Sequence, residues 1–301
     1  MKLILKSTPA GVVLWEGASP VTGREVVAVA THSTSNRKTG NMIQVWILAR
    51  GMAPASDDEA HRTVCGDCPH GRVPSGDGGC YVLPWQAPRG VWRAYLRGVY
   101  GDVLSAIERY RWAEEVRRQG RAIRFGAYGD PGMLPFRVVK GLASIVGAWT
   151  GFTRRWRELP LWEGPDIGMR RYLMASVDTR EEQAEAEELG WRTFRAAPPV
   201  DLDRELLAAL PRTAHETICA STQGTTCANC LLCNGMHGAT DNRRSIVLPA
   251  HGSGKNAWSA ETEETDGEAS DRGSWSGPRL RQRVRDLCDP SYHPRGKEAT
   301  S

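Results

Sequence analysis

Residues 171–196 read RYLMASVDTREEQAEAEELGWRTFRA, and the fold turns on them. RYLMASV is an apolar, strand-like run. Thr179-x-x-Glu182 then reads as a capping box, in which a hydroxyl and a carboxylate satisfy the first free amides of a helix. Gly190 stops that helix, and WRTFRA is strand-like again. Strand, helix and strand in so short a span make a βαβ unit, which lays parallel strands side by side.

The same rhythm runs outward in both directions. Upstream, AIRFGAY (122–128) is a strand, LPFRVVKGLASIVG (134–147) a helix and WTGFTRRW (149–156) the next strand. Downstream, DLDRELLAALP (201–211) is a short helix, ETICAS (216–221) a strand and SIVLPAHG (245–252) the last strand. These make six strands between 122 and 251, and one or two from residues 25–50 can join them. The expected fold is α/β, a full or partial TIM-type (βα) barrel. No GxGxxG or Walker sequence speaks for a nucleotide-binding open sheet.

Composition divides the rest. Residues 1–50 hold N-terminal strands (LILKS, GVVLW, EVVAVAT, MIQVWILA). Residues 51–88 are Gly- and Pro-rich and are expected to be a long Cys-bearing loop, kept ordered by a bound metal. Residues 89–252 form the barrel core. It opens on a helix expected over Val91–Gln119, where Tyr95, Val99, Val103, Ile107, Tyr110 and Val116 recur at three- and four-residue steps. Residues 253–301 are expected to be a disordered tail. The chain of 301 residues has a net charge of only +4, so it is not a polybasic nucleic-acid binder as a whole. Arginine patches lie at Arg154, Arg155 and Arg157 and at Arg279–Arg285. Neither a signal peptide nor an apolar run of membrane-spanning length is visible, so a cytoplasmic protein is expected.

Cysteine carries the chemistry. Cys219, Cys227, Cys230 and Cys233 fall in ICASTQGTTCANCLLCNG, and Cys65, Cys68 and Cys80 in CGDCPHGRVPSGDGGCY. Disulfide scaffolds are short and Cys-dense, whereas this chain has 8 Cys in 301 residues. Metal binding fits better. Four thiolates close a tetrahedral zinc site or hold a four-iron cluster. The first group offers Cys65, Cys68 and Cys80, with His70 and His61 nearby. It fits a Cys3His zinc or a three-thiolate cluster with an open position, although the radical S-adenosylmethionine spacing, C-x3-C-x2-C, is not present. Cys288 has no assigned role.

In parallel α/β barrels the active site lies at the carboxyl ends of the strands. The residues there are Tyr128, Gly129 and Asp130; Thr153, Arg154, Arg155 and Trp156; Ser176, Val177 and Asp178; then Arg195, Cys219, Ser221 and His251. Asp130 and Asp178 are paired carboxylates able to divide nucleophilic and acid–base work. Each also reads as a turn or cap residue: Asp130 precedes Pro131-Gly132, and Asp178 precedes the capping box.

Several of these pieces, taken in order, resemble the uncharacterised phage "gene 88 product" family. They are NRKTGNMIQVWIL, the loop ending at Cys80–Tyr81, RFGAYGDP, FTRRW, MASVD, ICAS…TCANCLLC and IVLPAHG, over residues 36–252. The resemblance implies a phage origin and a metal-binding core. The spacing within the first cysteine group departs from the family pattern. In its logic the chain is also similar to TIM-barrel guanine transglycosylases, which pair two strand-end aspartates and carry a late zinc. That similarity implies exchange of guanine in DNA for a 7-deazaguanine, in the host cytoplasm. Asp178 would be the nucleophile, and Asp130 would shuttle the proton. Arg154 and Arg155 would hold phosphate, Trp156 would stack on a base, and zinc would sit on the late cysteines. The alternatives are an iron–sulfur or radical-type enzyme and a zinc-stabilised DNA-binding protein without catalysis.

Overall fold

The computed structural model describes residues 10–161, 167–199 and 207–251, apart from 208, 211 and 239. The run LILKS, the tail and most of the 201–211 helix lie outside the described residues. The elements, in order, are β1 (Gly11–Ala18), β2 (Glu25–Thr31), β3 (Ile43–Ala49), α1 (Asp58–Cys65), β4 (Arg72–Val73), β5 (Gly76–Asp77), α2 (Ala87–Leu96), α3 (Ala106–Arg118), β6 (Ile123–Tyr128), α4 (Phe136–Val146), β7 (Trp149–Thr150), β8 (Phe152–Thr153), β9 (Met174–Val177), α5 (Arg180–Glu188), β10 (Thr193–Ala197), β11 (Glu216–Ile218) and β12 (Ser245–Pro249). Cys227–Cys230 makes a single helical turn.

The fold is mixed α/β with two five-stranded sheets, ordered β1-β2-β3-β6-β7 and β11-β12-β10-β9-β8. β1, β2 and β3 form an antiparallel meander, while every pairing from β3 onward in these two sheets is parallel. Gly151 joins the two sheets, with β7 on one side of it and β8 on the other. Its N–H donates to the Cys233 carbonyl (2.9 Å), and its own carbonyl accepts from Met174 (3.0 Å). A side chain here would strike Leu173 at 2.6 Å, so glycine keeps the strands close.

The strands β3, β6, β7, β8, β9 and β10 succeed one another in one direction. The right-handed crossover rule then predicts that the helices linking these parallel strands lie on one face. Side-chain alternation agrees. Leu173, just before β9, and Ala175 and Val177 within it share the main core with Trp112 of α3, Val139 and Leu142 of α4 and Ala186 of α5. Met174 turns the other way, to Phe152, Phe194, Ile246, Cys219 and Cys233. The late cysteine loop thus covers the face that the helices leave bare.

Closure into a full barrel is not present among the described residues. β1 and β11 remain as outer strands, and the antiparallel meander occupies the side where further parallel strands would close the ring. Two helical expectations also change. The 51–88 segment is not all loop, because Asp57 accepts from the Ala60 amide (2.7 Å) and starts α1, which Gly66 ends at φ +65°. The helix expected over Val91–Gln119 is two helices. Gly98 and Gly101, both at positive φ, break it, and Ser105 with Glu108 forms a fresh capping box for α3.

Candidate metal centre at the carboxyl edge of the sheet

At the end of β6 the chain turns sharply. Gly129 has φ +77°, and a Cβ there would meet the Ile47 carbonyl at 2.6 Å. The turn delivers the Asp130 amide to the Val64 carbonyl of α1 (2.7 Å), which docks the first cysteine segment on the sheet edge. The Asp130 carboxylate accepts from the amides of Gly132 (2.7 Å) and Arg154 (2.6 Å). Burial raises its pKa, with the Thr153 hydroxyl and these amides pulling the other way. Both oxygens are engaged in tying β6 to β8, so the cap reading of Asp130 describes what it does here.

Arg154 carries its guanidinium to Asp178 at the end of β9. Nη1 donates to Oδ2 (2.5 Å) and Nη2 donates to Oδ1. His70 Nε2 lies 2.8 Å from the same Oδ2. Burial opposes the charge on Asp178, but the bonds from His70 and Arg154 outweigh it and lower its pKa. Its amide donates to Glu182 (2.8 Å), while Thr179 Oγ1 caps Glu182 (3.1 Å) and starts α5. Arg154, His70 and Asp178 thus form one network in which the carboxylate already serves a guanidinium and an imidazole.

Cys65, Cys68 and Cys80 gather beside this network. Burial raises the Cys65 thiol well above its ordinary value, and Cys68, Cys80 and Asp130 push it further. Burial lifts Cys68 to about 11, against the pull of Arg154 and the His70 amide. Burial also raises Cys80, against Val82, Arg72 and Arg154. The Tyr128 hydroxyl is buried beside Cys65 and Cys80 with no well-aligned hydrogen bond among the described residues; burial raises its pKa well above the ordinary value, the two thiols add to this, and the Ala55 amide pulls the other way. A cleft of about 500 Å³ opens beside Cys68, lined by Asp58, His61, Arg62, Asp67 and Ser75 among others. That volume suits a small ligand.

The late cysteines form a second group. Burial raises Cys233 well above its ordinary value, and Cys219, Cys227 and Cys230 all add to the effect. The loop is anchored far along the chain: the amides of Cys227 and Ala228 donate to the carbonyls of Lys38 and Thr39 (2.9 and 3.0 Å). None of the seven described cysteines is in a disulfide. Among the described residues, no group of three or more His, Cys, Asp or Glu side chains is placed so that it could hold a metal ion.

The nucleic-acid roles expected for the FTRRW segment meet a different geometry. Trp156 is 1% exposed and donates from Nε1 to the Ser176 carbonyl (3.2 Å), so no base can stack on it. Arg154 is spent on Asp178. Arg155 donates to the Gly132 carbonyl (2.8 Å) and braces the turn after Asp130. Away from this edge, Arg195 pairs with Glu216 (2.8 Å) and His251 Nδ1 lies on the Pro249 carbonyl (2.8 Å). Sequence reasoning placed Tyr128 at this strand end but gave it no role. It missed Arg124, a charged residue inside the apolar strand AIRFGAY, which was the one available signal.

Comparison with known protein families, curated proteins and solved structures gives no match. No helix among the described residues is long and apolar enough to cross a membrane.

Proposed function

We propose that the chain is an iron–sulfur enzyme, with its reactive centre on Cys65, Cys68 and Cys80 at the carboxyl mouth of an opened βα barrel. The observation that carries this reading is the gathering of three thiols with Asp130, Arg154 and Tyr128 at one sheet edge, beside an open cleft. Three thiolates leave a four-iron cluster one iron free to take a ligand, and that iron would supply electron transfer and substrate binding. The protein's own residues do the rest. Arg154, fixed by Asp178 and His70, lowers the cost of thiolate charge at Cys68 and Cys80. The orphan Tyr128 hydroxyl offers a donor toward the same place. Asp130 ties the end of β6 to the residue after β8 beneath the site. A cluster of this kind needs a reducing compartment, such as the cytoplasm of a host cell.

The motifs that resemble the phage gene 88 product family would supply these parts: RFGAYGDP holds Tyr128 and Asp130, FTRRW holds Arg154, and MASVD holds Asp178. The test is purification without air, followed by iron and acid-labile sulfide analysis and a visible spectrum. A brown protein with both elements is expected. A colourless protein holding only zinc overturns the reading.

Base exchange on DNA keeps one supporting observation, that Asp130 and Asp178 share one mouth. A nucleophile needs a free lone pair, and Asp178 is clamped by Arg154 and His70. Incubation with duplex DNA and labelled guanine separates the two: incorporation lost in Asp178→Asn would favour exchange, and its absence in the wild type removes it.

A further inference from the structure

Two arginines lie buried against the late cysteine loop, and no hydrogen bond or salt bridge among the described residues joins either to a carboxylate. Arg124, 8% exposed, donates to the Tyr81 hydroxyl and lies 5.9 Å from the centre of that ring. The thiols of Cys227 and Cys233 are its other titratable neighbours. Arg192 grips the backbone on both sides of Cys233, donating to the carbonyls of Leu232 (3.0 Å) and Asn234 (2.6 Å), and also to Arg244 (2.6 Å). Its Nε is buried without a hydrogen-bond partner among the described residues. Its other charged neighbours, Arg243 and Asp241, pair with each other (2.6 Å).

A guanidinium taken out of water needs an opposing charge or it costs several kcal/mol. Neutral thiols supply none. Four thiolates around a divalent ion, or around a four-iron cluster carrying two positive charges, leave a net charge of about −2. Two buried cations match that charge.

We propose that Cys219, Cys227, Cys230 and Cys233 hold a dianionic tetrathiolate centre whose counter-cations are Arg124 and Arg192, with Arg124 also tying it through Tyr81 to the mouth loop at Cys80. Arg124 is a positioning and charge-balancing residue here, not a ligand. The inference needs a metal on the late thiols and is independent of what occupies the mouth.

Cobalt(II) is the probe. The full chain is titrated and read through the thiolate-to-cobalt charge-transfer absorbance, and the part lost in Cys233→Ser reports this site. Arg124→Gln is expected to weaken cobalt binding there by about 10–100-fold, the usual effect of removing an outer-shell partner. Arg124→Lys, which keeps the charge, recovers most of it. Thermal melts supply a sign test. Without metal Arg124→Gln is expected to melt higher than the wild type, because an uncompensated charge is gone; with cobalt it melts lower. If the Gln variant does not fold, Arg124→Lys alone decides, with near wild-type affinity expected. Cobalt affinity in Arg124→Gln within twofold of wild type, Lys failing as Gln does, or melts that shift the same way with and without cobalt would overturn the proposal.

Discussion

Replacing Asp178 by Asn removes half of the clamp that organises the mouth. The Arg154 and Asp178 side chains are 15% and 18% exposed, so the guanidinium loses a bidentate partner in a place water hardly reaches. Removing one member of a buried pair costs roughly 3–5 kcal/mol, because the other charge stays buried and unpaired. Glu182 lies 3.9 Å from Arg154 Nη1 and takes up part of that charge, which sets the cost near the lower end, about 3 kcal/mol. At roughly 2–4 °C per kcal/mol for a domain of this size, Tm falls by roughly 6–12 °C at pH 7. Denaturation followed by circular dichroism reads both quantities. The pH dependence has a fixed sign. The folded-state pKa of Asp178 lies below its ordinary 3.8, so its contribution is present above that value and is lost as pH falls through the folded pKa. Asp178→Asn therefore converges on the wild type in acid. The double variant Arg154→Met/Asp178→Leu, which removes both charges, is expected to be more stable than Asp178→Asn alone. A single variant within about 0.5 kcal/mol of wild type at pH 7, the range of an ordinary surface change, would refute the clamp.

Trp156→Ala, at a fully buried indole, is expected to cost about 3–5 kcal/mol in denaturant titrations, whatever nucleic acid is present. Gly129→Ala sets a Cβ 2.6 Å from the Ile47 carbonyl at a positive φ, so the soluble yield should collapse while Gly141→Ala, where nothing lies within 4 Å, is tolerated. Glu216→Gln leaves Arg195 facing a neutral amide inside the second sheet and is expected to cost about 3 kcal/mol or more by the same denaturation assay.

The parallel core was legible because RYLMASVDTREEQAEAEELGWRTFRA carries every local signal at once: apolar strands, a hydroxyl cap and a glycine stop. The strand ends were therefore readable, and Asp130, Arg154 and Asp178 do meet at one edge. Their roles were not readable. Whether a carboxylate caps an amide, holds an arginine or stays free depends on contacts across the fold, such as His70 reaching Asp178 over 108 positions. Trp156 misled for the same reason: FTRRW looks like a basic, aromatic surface until Trp156 turns inward between β9 and the turn that follows β8. The helix break at Gly98–Gly101 lay in plain view, but the three-and-four apolar rhythm ran across it. Of the residues that carry that rhythm, Val99, Val103, Ile107 and Tyr110 are in fact exposed, while Val116 is buried.

The central claim is that Cys65, Cys68 and Cys80 serve one inorganic centre. Iron and acid-labile sulfide per chain, compared between the anaerobic wild type and Cys65→Ser/Cys68→Ser/Cys80→Ser with the late cysteines intact, test it most directly. The account predicts that the triple variant loses about four iron and four sulfide per chain and that the visible absorbance falls with them. Equal iron and sulfide in the two proteins, or none in either, would contradict it.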